Sequence, residues 1–101
     1  MMNDKDFAKE VTRIINFIAT TIEENDVNGN IDVDINGDIL NLITQDGTFV
    51  INKQSSVKEI WLSSPVSGPY HFLHDGKTWN SKAGDIFFEI LSNDLNIKIK
   101  D

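Results

Sequence analysis

No cysteine occurs among the 101 residues. Disulfides, thiolate catalysis and Cys-ligated zinc or iron–sulfur centres are therefore excluded. Long apolar runs are missing as well. Nothing approaches the ~18 consecutive apolar residues of a membrane span. The opening residues Met1–Phe7 are polar and acidic, without the apolar core of a signal peptide or the Arg/Ser-rich character of a transit segment. A reducing, aqueous compartment is the expectation. Basic residues are few: 9 Lys and Arg stand against 16 Asp and Glu, for a formal net charge of −7. Between Arg13 and Lys53 there is no Lys or Arg at all, while the same interval holds Glu23, Glu24, Asp26, Asp32, Asp34, Asp38 and Asp46. Phosphate binding needs a basic footprint, so nucleic acid is not an expected partner. An acidic surface of this kind either keeps the chain soluble or attracts cations and basic proteins.

What is present is a folded pattern. The hydrophobic fraction is 40%, and a chain of this length suits a single domain with one core. Phe7, Val11, Ile14, Ile15, Ile18 and Ile22 recur at spacings of three and four, the stripe of an amphipathic helix. Asn3 can cap its start, Asp4 and Asp6 suit its first turn, and the polar run Asn25–Asn30 ends it. From Ile31 the period changes to two. Ile31, Val33 and Ile35 alternate with Asp32 and Asp34, and Asn36-Gly37 is a hairpin dipeptide. Further strands are predicted at Ile39–Thr44, Thr48–Gln54, Glu59–Ser64, Tyr70–His74 and Thr78–Asn80. The segment Pro65–Pro69 is expected to lie outside any central strand, since proline offers no ladder donor. A second helix is predicted with Asp85 near its start and a stripe of Phe87, Ile90, Leu91 and Leu95; Ile97 and Ile99 beyond it are placed as an edge contact.

Short links favour an antiparallel meander. Both helices have one apolar stripe, so both should cover the same face of a sheet of about six strands, a two-layer α+β sandwich. The opposite face then meets water. Parity puts Phe49, Ile51, Ile60 and Leu62 on the covered side and Val50, Asn52, Gln54 and Trp61 on the bare one. A tryptophan left in water forgoes roughly 1.5–3 kcal/mol of burial, which points to a partner that covers it. The bland alternative is a cross-strand pair. His71 and His74, three apart in a strand, should face opposite sides; Trp79, Phe87 and Phe88 read as core.

The run Gly47–Pro69, GTFVINKQSSVKEIWLSSPVSGP, followed by Gly76-Lys77-Thr78-Trp79 and a Phe/Leu-rich closing helix, resembles the frataxin family, whose bacterial members are called CyaY. The similarity extends from Asp4 to about Leu95. It implies an α–β–α sandwich and a role in iron–sulfur cluster assembly: weak binding of Fe2+ or Fe3+, and regulation or supply of a cysteine desulfurase and its scaffold protein. The family's sheet residues that face this machinery match Asn52, Gln54 and Trp61. His71 stands where mitochondrial members have a basic residue. The family's acidic ridge matches Glu23, Glu24, Asp26, Asp32 and Asp34, with Asp4, Asp6 and Glu10 extending it along the first helix. Where other bacterial members have mid-helix acids this chain has Ala19-Thr20-Thr21, a thinner ridge.

The resemblance implies a non-enzymatic iron-binding regulator in the bacterial cytoplasm, although a processed organellar protein would read the same. A monomer is expected, with oligomerisation on iron loading left open. Ferroxidase chemistry is the enzymatic alternative, but the sequence has no Glu-x-x-His helix motif of the buried di-iron type. A plain acidic adaptor for a basic protein is the third reading.

Overall fold

Asn3 begins the first helix as expected. In the computed structural model, which describes residues 2–101, its side-chain oxygen accepts the Asp6 N–H at 2.8 Å and opens α1, Asp4–Asn25. Phe7, Val11, Ile14, Ile15, Ile18, Ala19 and Ile22 are the buried stripe of this helix. Asp26 ends it. Its N–H reaches the Ile22 carbonyl at 2.8 Å, and its carboxylate accepts the N–H groups of Asn30 and Ile31 at 3.0 and 2.8 Å, turning the chain toward the sheet.

The sheet is an antiparallel meander in sequence order: β1 Asp32–Asn36, β2 Ile39–Thr44, β3 Gly47–Gln54, β4 Glu59–Ser64, β5 Gly68–His74 and β6 Trp79–Asn80. The last helix, α2, runs Phe87–Leu95. Leu40, Leu42, Phe49, Ile51, Ile60, Leu62 and Phe72 are buried from the sheet, and Phe87, Leu91 and Ile99 join them from α2 and the tail. Both helices therefore lie on one side, and the two-layer α+β expectation holds.

Several boundaries differ from the sequence reading. Pro69 belongs to β5, opposite Ser63, because a proline is tolerated near the start of a strand. The β6 strand begins at Trp79 and not at Thr78: the Thr78 carbonyl accepts the Asp75 N–H at 3.1 Å and its N–H donates to the Asp75 carboxylate at 2.8 Å, so Thr78 is spent on the turn. Asp85 lies just before α2, near its start as expected. It is locked to Ser81, whose hydroxyl donates to the carboxylate at 2.8 Å and accepts the Asp85 N–H at 3.0 Å. Ile97 and Ile99 form no strand. Ile99 is buried, and the Ser92 hydroxyl takes both its main-chain groups, accepting the N–H at 2.9 Å and donating to the carbonyl at 3.0 Å. Phe88 is only partly buried, edge-on to Phe17, whereas Trp79 and Phe87 are core.

Candidate docking and metal-binding surface

Directly opposed residues in an antiparallel pair share a face, so the register maps the bare side of the sheet. One row runs Asn36–Ile39–Asn52–Trp61–His71 across five strands; the next runs Asp34–Asn41–Val50–Ser63–Pro69. Gln54 and Glu59 are opposite one another at the end of the β3–β4 pair. At a strand spacing of about 4.8 Å, Asp34 on the edge lies roughly 14 Å from the strand that carries Trp61. Asp32 and Asp34 thus belong to the same face as the aromatic row, opposite Ile43 and Asn41. The amide of Asn41 reaches the Asp34 carboxylate at 3.4 Å.

Trp61 is not simply displayed to water. Its indole stacks on the His71 ring, centroids 4.1 Å apart and planes 3° from parallel. Its Nε1–H donates to the Glu59 carboxylate at 2.7 Å, and His71 Nδ1 lies 3.7 Å from the same oxygen. The cross-strand pairing that is the alternative reading of Trp61 exists, with His71 as the partner. Glu59 is the residue the sequence reading left out. Its signal was available in the Glu-x-Trp spacing, since positions two apart on a strand share a face. His74 is on the opposite side, opposite Trp79 with ring centroids 5.1 Å apart.

The acidic positions are spread over the molecule. Asp4 pairs with Lys58 Nζ at 3.5 Å. Glu10 holds Arg13 through two hydrogen bonds of 2.9 and 2.7 Å, and Asp101 takes the other side of the same guanidinium at 2.9 and 2.6 Å. These bonds, Glu10 first and then Asp101, hold Arg13 even more firmly protonated than usual, and Arg13 in turn keeps the Asp101 carboxyl below its ordinary range. The Asp26 oxygens are engaged by the Asn30 and Ile31 N–H groups. Asp6, Glu23, Glu24, Asp32 and Asp34 are exposed. Among the described residues no three acidic or histidine side chains converge on a common point. Asp32 and Asp34 stand on the open sheet face, whereas Glu23 and Glu24 end the helix on the other layer. Among the described residues no helix is long and apolar enough to cross a membrane.

This architecture is shared with known proteins. The model of the Frataxin-like domain matches residues 1–101. The iron–sulfur cluster assembly protein CyaY of Bordetella avium is 32% identical over 95 residues, covering 90% of this chain and 86% of that protein. The structure of frataxin from Psychromonas ingrahamii superposes with a TM-score of 0.85 over 99% of this chain and all of the other, at 24% identity, a likeness of fold. A trimeric frataxin from Saccharomyces cerevisiae, complexed with ferrous iron, is 31% identical and superposes with a TM-score of 0.79 over 91% of this chain and 87% of that one. A meander with both helices on one side, the Asn52–Trp61–His71 row on the other and this whole-length match make the chain a member of the frataxin family.

Proposed function

We propose that this protein acts in iron–sulfur cluster assembly as a non-enzymatic, cytoplasmic regulator, and that it uses two surfaces. The open sheet face, centred on Trp61 with Asn52, Gln54 and His71, docks on the scaffold protein. The acids on α1 and β1 attract a basic surface of the cysteine desulfurase and hold ferrous or ferric iron loosely as cargo. The observation that carries this reading is the row Asn52–Trp61–His71, an aromatic stack on the face that no helix covers. Aromatic residues at the centre of an interface are common anchors, with truncation costs of ~2 kcal/mol or more.

The relatives support the biological setting: one is named for iron–sulfur cluster assembly and another is described as complexed with ferrous iron. Carboxylate oxygens suit hard cations such as iron. Because Glu23, Glu24, Asp32 and Asp34 are exposed and no three acidic or histidine side chains converge among the described residues, each ion would keep much of its water, which fits weak binding and ready release. The interval from Arg13 to Lys53, empty of basic residues, fits a basic partner whose attraction is screened by salt.

Cluster assembly on the scaffold, followed with wild-type protein and with Trp61→Ala, tests the docking half. A folded Trp61→Ala variant that affects assembly as the wild type does would return Trp61 to a structural role. Binding to the desulfurase at low salt, with Glu23→Lys and Glu24→Lys combined, tests the acidic half. The expected loss is at least tenfold in affinity, shrinking as salt is raised toward a Debye length of about 8 Å. Equal affinity at low salt would remove these acids from the interface.

A further inference from the structure

We infer that Glu59 is a positioning residue of the open face: it holds the Trp61 indole in the orientation that a partner meets. The inference rests on the docking reading above and adds to it a residue outside the Asn52–Gln54–Trp61–His71 set. One carboxylate oxygen of Glu59 accepts the indole N–H at 2.7 Å and lies 3.7 Å from His71 Nδ1. The two rings it addresses are themselves stacked within 3° of parallel. Three side chains from two adjacent strands thus form one unit, in which a charge-assisted hydrogen bond fixes the in-plane direction of the indole and the stack fixes its tilt.

Burial gives this bond its weight. The Glu59 side chain is only 17% exposed, against 56% for His71, so water competes weakly for the carboxylate while one flank of the stack remains open. The alternative without Glu59 is a half-buried indole free to exchange rotamers, because its N–H could be satisfied by water in any outward orientation. The shape of the face depends on which rotamer is taken. Trp61 and His71 both border a hollow that Val50 and Asn52 also line, and Glu59 and His71 border a second with Leu73 and Lys82, so the direction of the indole bears on the relief of this face. Fixing the ring before contact removes the ordering cost from binding.

The test is the indole N–H signal of Trp61 in nitrogen-15 spectra of the full chain. The two tryptophans give two such peaks, and the one lost in Trp61→Phe is Trp61. In Glu59→Ala that peak moves upfield and its hydrogen exchange accelerates, while the Trp79 peak stays in place and reports an intact fold. Glu59→Gln, which keeps an acceptor oxygen but not the charge, retains most of the shift. Affinity for the scaffold falls about tenfold in Glu59→Ala and about threefold in Glu59→Gln, as expected for a charge-assisted bond against a neutral one. An unchanged Trp61 peak in Glu59→Ala overturns the inference. So does a displaced peak with undiminished affinity, provided that Trp61→Ala weakens binding. If Trp61→Ala itself binds at full strength, the docking reading fails, and the peak alone decides whether Glu59 orients the ring.

Discussion

Trp61 on β4 and His71 on β5 are directly paired in the sheet register, with ring centroids 4.1 Å apart and planes 3° from parallel. The contact accounts for a tryptophan on a solvent-facing surface: one ring face is covered by the imidazole, the N–H is satisfied by Glu59, and the remaining edge is open. The stack should therefore contribute to stability. His71→Ala is expected to lower stability by about 0.5–1.5 kcal/mol, the value of a stacked ring pair. His71→Arg should cost less, because a guanidinium also stacks on an indole. Urea unfolding of the two variants decides the point; equal losses would mean that the imidazole contributes through something other than its stacking.

The tail provides the second prediction, and its sign follows from Asp101. Arg13 holds that carboxyl below its ordinary value near 3.9. A carboxylate whose folded value is depressed stabilises the fold above its unfolded value, and the contribution is lost as pH falls through the folded value. Asp101→Asn should thus be less stable than wild type at pH 7, with a smaller difference at an acid pH below about 3.9. The pair is on the surface, so the difference at pH 7 is about 0.2–1 kcal/mol. Urea midpoints at the two pH values give the comparison, and a difference that persists undiminished in acid would remove the ion pair from the explanation.

Ile99 anchors the same tail more deeply. It is buried against the core, and Ser92 satisfies its two main-chain groups. Ile99→Ala should cost about 2–5 kcal/mol through the lost burial and the cavity left behind. Ser92→Ala should cost about 1–3 kcal/mol by leaving those groups without a partner. Thermal unfolding of both variants checks the order; a Ser92→Ala loss below measurement would show that the tail finds other partners.

These cases mark where sequence reading stops. The helix and strand periods were legible, because burial on one side imposes spacings of three to four or of two. The same parity set Asn52, Gln54 and Trp61 on one face, and it would also have reached Glu59. The bond between Glu59 and the indole was not legible, since it depends on rotamers and not on position along the strand. The dispersal of the acids was hidden for a different reason. Asp32 and Asp34 are near Glu23 and Glu24 in sequence, but β1 presents the first pair to the open side of the sheet while α1 lies on the other. The alternation of Ile97 and Ile99 has the period of a strand edge, but a serine hydroxyl in place of a neighbouring strand satisfies the Ile99 backbone.

The β4–β5 turn is tied to α2 by a bond that no periodicity announces. Ser64 is buried, its hydroxyl donates to the Asp94 carboxylate at 2.7 Å and accepts the N–H groups of Val66 and Ser67 at 3.1 Å, and the Ser67 hydroxyl donates to the same carboxylate. Asp94→Ala should lower stability by about 1–3 kcal/mol. A double-mutant cycle with Ser64→Ala should return a coupling of at least about 0.5 kcal/mol, as residues in one hydrogen-bond network are not additive. Strict additivity would show that the turn holds its shape without the helix.

Gly47 and Gly37 separate two reasons for a glycine. Both have positive φ, +126° at Gly47 and +62° at Gly37, but only at Gly47 would an added Cβ meet another side chain, 2.8 Å from the Cβ of Pro65. At Gly37 there is open space, and its left-handed backbone is one that other residues adopt at a cost of about 1–2 kcal/mol. At Gly47 an alanine faces a less accessible backbone region and must also push the β4–β5 turn away, so its loss should be the larger and at least about 2 kcal/mol. The comparison is made by urea unfolding of Gly37→Ala and Gly47→Ala. Measured against Pro65→Gly alone, which itself loosens the unfolded chain, Gly47→Ala in the double variant should recover the part of the loss due to contact and leave the part due to backbone strain. If the double variant recovers nothing, the strain alone explains Gly47 and the approach of Pro65 is incidental.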